Sequence, residues 1–254
     1  MEWNCMAVEP IVQAPVEGPG ADMLRFRETQ TGYTVLVGPP EADPDLWRRY
    51  MDGALEAYRR FDSAEALDYD TVIDGRSTSL FFVALDSDGR VVAGVRAEGP
   101  HKHVDEMRAV ASWAGLKGGP AFRHLVADQI PYGVIECKAG WAARDSEYRH
   151  ALAEWMARAC VHAAMLLGVR YVTSHAPEHA LRLYRSSGAN VAWWIPPSSY
   201  PDERYRTFAV WWDMKTYRAV ATESQARLLE VELSEMRKND LMPPDFWAPA
   251  KGLA

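Results

Sequence analysis

Between residues 133 and 173 two strand-like segments flank one long, one-sided helical segment, and this unit constrains the fold more than any other part of the chain. Gly133-Val-Ile-Glu-Cys-Lys-Ala-Gly-Trp141 reads as a strand. A helix is expected from about Ser146 to Leu167, because Ala151, Leu152, Trp155, Met156, Ala159, Cys160, Ala163, Ala164 and Leu167 form one wide apolar stripe. Gly168 is a natural C-terminal stop, and Val169–Thr173 reads as the next strand. A strand, a crossover helix and a second strand favour parallel pairing, so a sheet with helices laid on it is required. Glu154, Arg158 and His162 interrupt the apolar run, which marks a buried amphipathic helix and not a membrane span.

The rest of the chain fits around that unit. Tyr33–Val37 is β-branched and apolar, and Gly38-Pro-Pro ends it. Pro44-Asp-Leu-Trp47 opens a helix to about Phe61, with Leu46, Tyr50, Leu55 and Tyr58 at roughly helical spacing. Ser79–Leu85 and Val91–Arg96 flank the turn Asp86-Ser-Asp-Gly-Arg90 and read as a hairpin. Residues 97–130 read as a mixed connection with a helix near Asp105–Trp113, and Gly118-Gly-Pro120 as a turn. Pro177–Ser187 is a short helix stopped by Gly188. Asn190–Trp194 and Phe208–Trp212 are the last strands, each with a Trp pair that alternation splits between the two faces. Residues 218–238 form a further amphipathic helix. Strand–helix–strand units and hairpins together demand a mixed sheet, an α/β (α+β) architecture of six to seven strands. The expected organisation is a loose arm over 1–32, a domain over 33–213 and a C-terminal helical extension over 214–254.

Composition excludes several classes. A formal net charge of −7 disfavours broad nucleic-acid binding, which relies on Lys and Arg to neutralise phosphates. Cys5, Cys137 and Cys160 are odd in number and far apart in sequence, so a disulfide framework is not expected and a reducing cytoplasm is the default setting. The first residues lack the basic start and apolar run of a signal peptide. His101-Lys-His103 with Asp105 and Glu106 fits no metal-site spacing, and His175 and His179 are separated by Pro177 and read as cleft-lining or capping residues, so no metal is expected.

Two segments carry a resemblance. Ala180-Leu-Arg-Leu-Tyr184-Arg-Ser-Ser-Gly188-Ala resembles the A-x-x-L-Y-x-x-x-G-F/A segment of the GNAT N-acyltransferases, and Glu147-Tyr148-Arg149 stands where their long helix begins. The resemblance implies a splayed mixed sheet, a thioester co-substrate (acyl-CoA or the phosphopantetheine of an acyl-carrier protein) and a small amine acceptor; separately, the face with the Trp pairs and helix 218–238 is a candidate homodimer surface. It gives Tyr184 the role of protonating, or hydrogen-bonding to, a departing thiolate. It gives the backbone at Lys138, Ala139 and Trp141 contact with the carrier arm. GNAT members usually bind pyrophosphate with R/Q-x-x-G-x-G/A, whose glycines let the backbone approach the anion. Here those glycines fall on His150 and Leu152, so the side chains of Arg144, Arg149 and His150 beside Tyr148 either make the phosphate contacts or simply solvate the helix end.

The acyl-homoserine-lactone and N-acyl amino acid synthases share that departure. Gly94-Val-Arg96-Ala-Glu-Gly-Pro100 resembles their G-x-x-R-x-x-P strand end, Leu67-Asp-Tyr-Asp70 their acidic region, and Ile135-Glu136-Cys-Lys138 their E-x-S-R strand, with the arginine position occupied by Ala139. On this reading Glu136 is the general base, its pKa raised by burial, or else simply the partner of Lys138 or Arg96. Arg96 either holds a substrate carboxylate or forms a structural salt bridge, and Asp70 and His175 contact the acceptor. The competing expectation is a catalytically silent GNAT-fold protein that binds an acyl group or a partner.

Overall fold

The structure, a computed structural model, describes residues 23–238. Residues 1–22, with Cys5, and the apolar tail at Met242–Trp247 lie outside the described residues. Eight strands make one sheet: β1 (Leu24–Arg27), β2 (Thr34–Gly38), β3 (Leu80–Leu85), β4 (Val91–Glu98), β5 (Val134–Ala142), β6 (Tyr171–Pro177), β7 (Asn190–Val191) and β8 (Thr207–Asp213). Their order is β1-β2-β3-β4-β5-β6-β8-β7. Only β5 and β6 pair in parallel, as their crossover requires.

The helices are α1 (Pro44–Arg59), α2 (Tyr69–Val72), α3 (Arg108–Ser112), α4 (Gly119–Gln129), α5 (Arg149–Leu166), α6 (Leu181–Ser186), α7 (Tyr217–Val220) and α8 (Glu223–Lys238). One face of the sheet is covered by α5 and α8, whose Leu152, Trp155, Cys160, Leu229 and Leu233 pack with Phe82, Val95, Cys137 and Val172. The other face is divided. Over one half lies α1, with Leu46, Trp47, Tyr50 and Met51 on Phe81, Val83 and Trp141. Over the other half lie α3 and α4, with Val110, Phe122 and Val126 beside Val134 and Ala209.

Local chemistry explains the placement of α1. The Asp43 carboxylate accepts from the Leu46 N–H at 2.9 Å, and Pro44 opens the helix where its missing donor costs nothing. Two glycines then let α1 lie close on the sheet. A Cβ on Gly53 would sit 2.2 Å from the Trp141 ring, and one on Gly94 2.6 Å from the Tyr50 ring.

Four expectations change. Residues 24–32 are not a loose arm: Leu24–Arg27 pairs antiparallel with β2, and Glu28 is fully buried. Gly118-Gly-Pro120 is not a turn but the start of α4, where proline is tolerated in the first turn. Asn190–Trp194 is a strand only to Val191, so Trp193 and Trp194 stand exposed, although Trp211 and Trp212 do divide between the faces. The helix over 218–238 breaks at Ala221, which adopts an extended conformation between α7 and α8.

Candidate active site

Strands β5 and β6 pair only from Val134 to Glu136 against Tyr171 to Thr173, then part. At the apex of the split the Ser174 hydroxyl donates to the Cys137 carbonyl at 2.8 Å. On its other edge β5 also loses register with β4: Gly94 faces Trp141 and Arg96 faces Lys138, so the intervening Ala139 and Gly140 form a bulge. Ala139 has φ +52°, in the left-handed region that side chains disfavour.

A cavity of about 640 Å³ fills the split and reaches both faces of the sheet. On the α5 side it is lined by Val95, Cys137, Met156, Cys160 and Tyr184, with Arg149 and His150 at the start of α5. On the α1 side it is lined by Tyr58, Phe61, Arg96, Lys138, His175 and Tyr200. Cys137 and Cys160, distant in sequence, meet here, and their thiols hydrogen-bond to each other; that contact and burial push the Cys137 thiol well up. Burial likewise raises the Tyr184 phenol, keeping it protonated, while its ring meets Trp212 edge-on at 5.5 Å.

On the α1 side the two strands carry a lattice of opposite charges. Arg96 is paired across the ladder with Lys138, and Glu98 with Glu136. Arg96 Nη1 donates to Glu98 at 2.5 Å and to the Thr78 hydroxyl at 3.0 Å, while its buried Nε has no hydrogen-bond partner among the described residues. Lys138 Nζ lies 3.2 Å from Glu136. Arg108 bridges Asp68 and, at 3.7 Å, Glu98. Burial pushes the Glu98 carboxyl up, but Arg96, Lys138 and Arg108 outweigh it and hold it below the ordinary glutamate value. His175, lying between Trp113 and Tyr200, is pushed down to about 3 by burial and then by Lys138, so its imidazole is neutral at ordinary pH.

Of the residues singled out in the sequence, Lys138, Ala139, Trp141, Arg149, His150, Arg96, His175 and Tyr184 line this one cavity. Four do not. Asp70, Arg144 and Tyr148 are exposed outside it, and the nearby acidic contact comes from Asp68. Glu136 is turned away behind Lys138, where its carboxylate accepts the Ala109 N–H at 3.1 and 3.3 Å; it is the partner of Lys138 and does not reach the cavity. Sequence reading missed Tyr58 and Tyr200 as cavity residues. Tyr58 carried a signal, since it shares the α1 stripe with Tyr50; Tyr200 sits in an irregular loop with none.

No family model matches the chain. It is 43% identical over 240 residues to the Mycobacterium tuberculosis protein Rv1356c and to Mycobacterium bovis Mb1391c, covering 93% of this chain and 89% of each relative. Among solved structures it resembles FeeM, an N-acyl amino acid synthase from uncultured soil microbes (TM-score 0.50, 12% identity, 76% of this chain and 98% of that one). It also resembles the acyl-homoserine-lactone synthases LasI (TM-score 0.52, 14% identity, 75% and 95%) and BjaI, which is CoA-dependent (TM-score 0.51, 14% identity, 84% and 89%). The chain belongs to the family of these mycobacterial proteins, and its fold is the GNAT fold. In the GNAT frame, β5 and β6 are the strands that splay, and the turn into α5 is the place of the phosphate loop. Here Tyr148–Leu152 offers no glycine, and the side chains of Arg149 and His150 line the mouth instead.

Proposed function

We propose that this chain transfers an acyl group from a thioester donor, acyl-CoA or acyl-carrier protein, to the amine of a small acceptor of amino-acid type. The observation that carries this reading is a continuous cavity that passes through the split sheet, with an apolar limb at Tyr184 and a charged limb at Arg96 and Lys138. The thioester carbonyl sits at the Ala139–Gly140 bulge, whose backbone N–H groups polarise it. The acceptor nitrogen attacks the carbonyl carbon, the C–S bond breaks, the Tyr184 O–H proton passes to the departing sulfur, and the second proton shed by the new amide nitrogen returns through water to the Tyr184 oxygen. The acceptor carboxylate pairs with the Lys138 ammonium and the Arg96 guanidinium, both of which line the cavity. His175 is neutral and accepts a hydrogen bond from the amine, orienting its lone pair. Glu136 serves by holding Lys138. The amine proton is lost to water before attack, since Glu136 does not line the acceptor limb.

The test is incubation with acetyl-, octanoyl- and palmitoyl-CoA, each also as the acyl-carrier-protein thioester, with mixed amino acids and mass detection of N-acyl products. Products lost on Tyr184→Phe support the reading; thioester binding with no product under any pairing favours the silent acyl-binding protein, the alternative motivated by the missing glycines at Tyr148–Leu152.

A further inference from the structure

We infer that Tyr50, a buried residue of α1 outside the cavity lining, is a positioning residue for the donor carbonyl, acting through the bulge in β5; the inference rests on the thioester reading above. The Tyr50 hydroxyl donates to the Ala139 carbonyl at 2.9 Å. In a trans peptide the C=O and the following N–H point in opposite directions. Holding the Ala139 oxygen toward α1 therefore aims the Gly140 N–H toward α5, where Gly140 lines the cavity. That side is open: a Cβ on Gly140 would meet only Met156 Sδ at 3.8 Å and Val95 Cγ2 at 3.9 Å.

The bulge needs such a hold. Ala139 at φ +52° is disfavoured by its own Cβ, so its peptide rests in this orientation only when something outside the strand fixes it. Tyr50 is itself fixed. Its ring lies 5.4 Å from Trp47, 5.9 Å from Phe81 and 6.5 Å from Trp141 between centroids, and it occupies the space that a side chain at Gly94 would fill. Removing the hydroxyl alone leaves this packing and frees one peptide plane.

The test is Tyr50→Phe in the full chain, with octanoyl-CoA carrying ¹³C at the thioester carbonyl as probe. Without donor, the ¹³C shift of the Ala139 carbonyl and the ¹⁵N shift of Gly140 are expected to move while the fold stays intact. With donor, the wild type lowers the thioester C=O stretch from its value in water, and the variant is expected to lose about half or more of that lowering with donor affinity changed by less than about threefold. Unchanged shifts at Ala139 and Gly140 overturn the inference, as does a carbonyl stretch identical in variant and wild type. A wild type that binds octanoyl-CoA without moving the stretch, or does not bind it, sinks the donor reading itself and this role with it, an outcome separable because it appears before any substitution is made.

Discussion

Tyr184 presents its phenol to the cavity beside two thiols and Met156, a setting in which a proton donor is worth more than in water because little solvent competes. Tyr184→Phe is expected to lower the rate of thioester cleavage by about 10²-fold, the smaller end of the range for general acid catalysis, with donor affinity almost unchanged; single-turnover release of free thiol measures it. His175 makes a different prediction. Its pKa falls from an ordinary histidine value of about 6.5 in the unfolded chain to about 3 in the fold, so below pH 6.5 the unfolded state binds the extra proton. Stability therefore declines as pH drops from 6.5 toward 3, and His175→Gln flattens that part of the curve in urea titrations at stepped pH. For the same reason activity has no inflection from this imidazole near neutrality. An inflection in the rate near pH 6.5 that disappears in His175→Gln and in no other histidine variant contradicts a neutral imidazole.

At the scale of elements, the site is made where two loops and two strands meet. Strand ends, α5 and the Tyr184 segment were legible because periodicity and one compact motif encode them locally. The pairing of Arg96 with Lys138 was not, because register between β4 and β5 depends on the bulge at Ala139, a non-local backbone choice that no residue type announces. Glu136 misled for a physical reason: alternation gives its face of the sheet but not whether that face is occupied, and α3 occupies it. The loop after α1 and the loop before β8 clasp over the charged limb of the cavity. Arg204 donates to the Asp62 carbonyl at 3.0 Å and pairs with its carboxylate at 3.4 Å, and the Tyr205 hydroxyl donates to the Phe61 carbonyl at 3.2 Å. All are exposed contacts, which solvent and salt screen and which contribute little to stability. Arg204→Ala is expected to leave global stability nearly unchanged yet speed amide exchange at residues 61–63, far away in sequence; exchange that changes only around residue 204 refutes the clasp.

For the whole molecule, the deepest electrostatic commitment lies away from the cavity. Arg158 of α5 is fully buried and gathers Glu28 at 2.5 Å, Glu232 at 2.8 Å and Gln225 at 2.8 Å, while His162 Nε2 lies 3.2 Å from Glu232. The cluster joins the turn after β1, α5 and α8, so the first described strand and the last described helix are tied to the helix whose N-terminal residues line the mouth of the cavity. Burial pushes the Glu232 carboxyl up, but His162 and Arg158 overcome it and leave it below the ordinary value. The carboxylate thus stabilises the fold above the unfolded glutamate pKa of about 4.3, and that contribution is lost as pH falls through the lowered folded value. Taking away one partner of a buried ion cluster strands the rest, a loss of about 3–5 kcal/mol. Arg158→Met leaves two carboxylates with one histidine between them and should be the most damaging change. Glu232→Gln should come next, and Glu28→Gln least, since Arg158 then keeps Glu232. Replacing Arg158, Glu28 and Glu232 together by apolar residues of similar size should recover much of the loss, because the desolvation cost disappears along with the attraction. Urea unfolding at pH 7 ranks the four variants. Equal losses in all of them would mean that the three elements are held by the apolar contacts of Leu229, Leu233 and Met236 and not by charge.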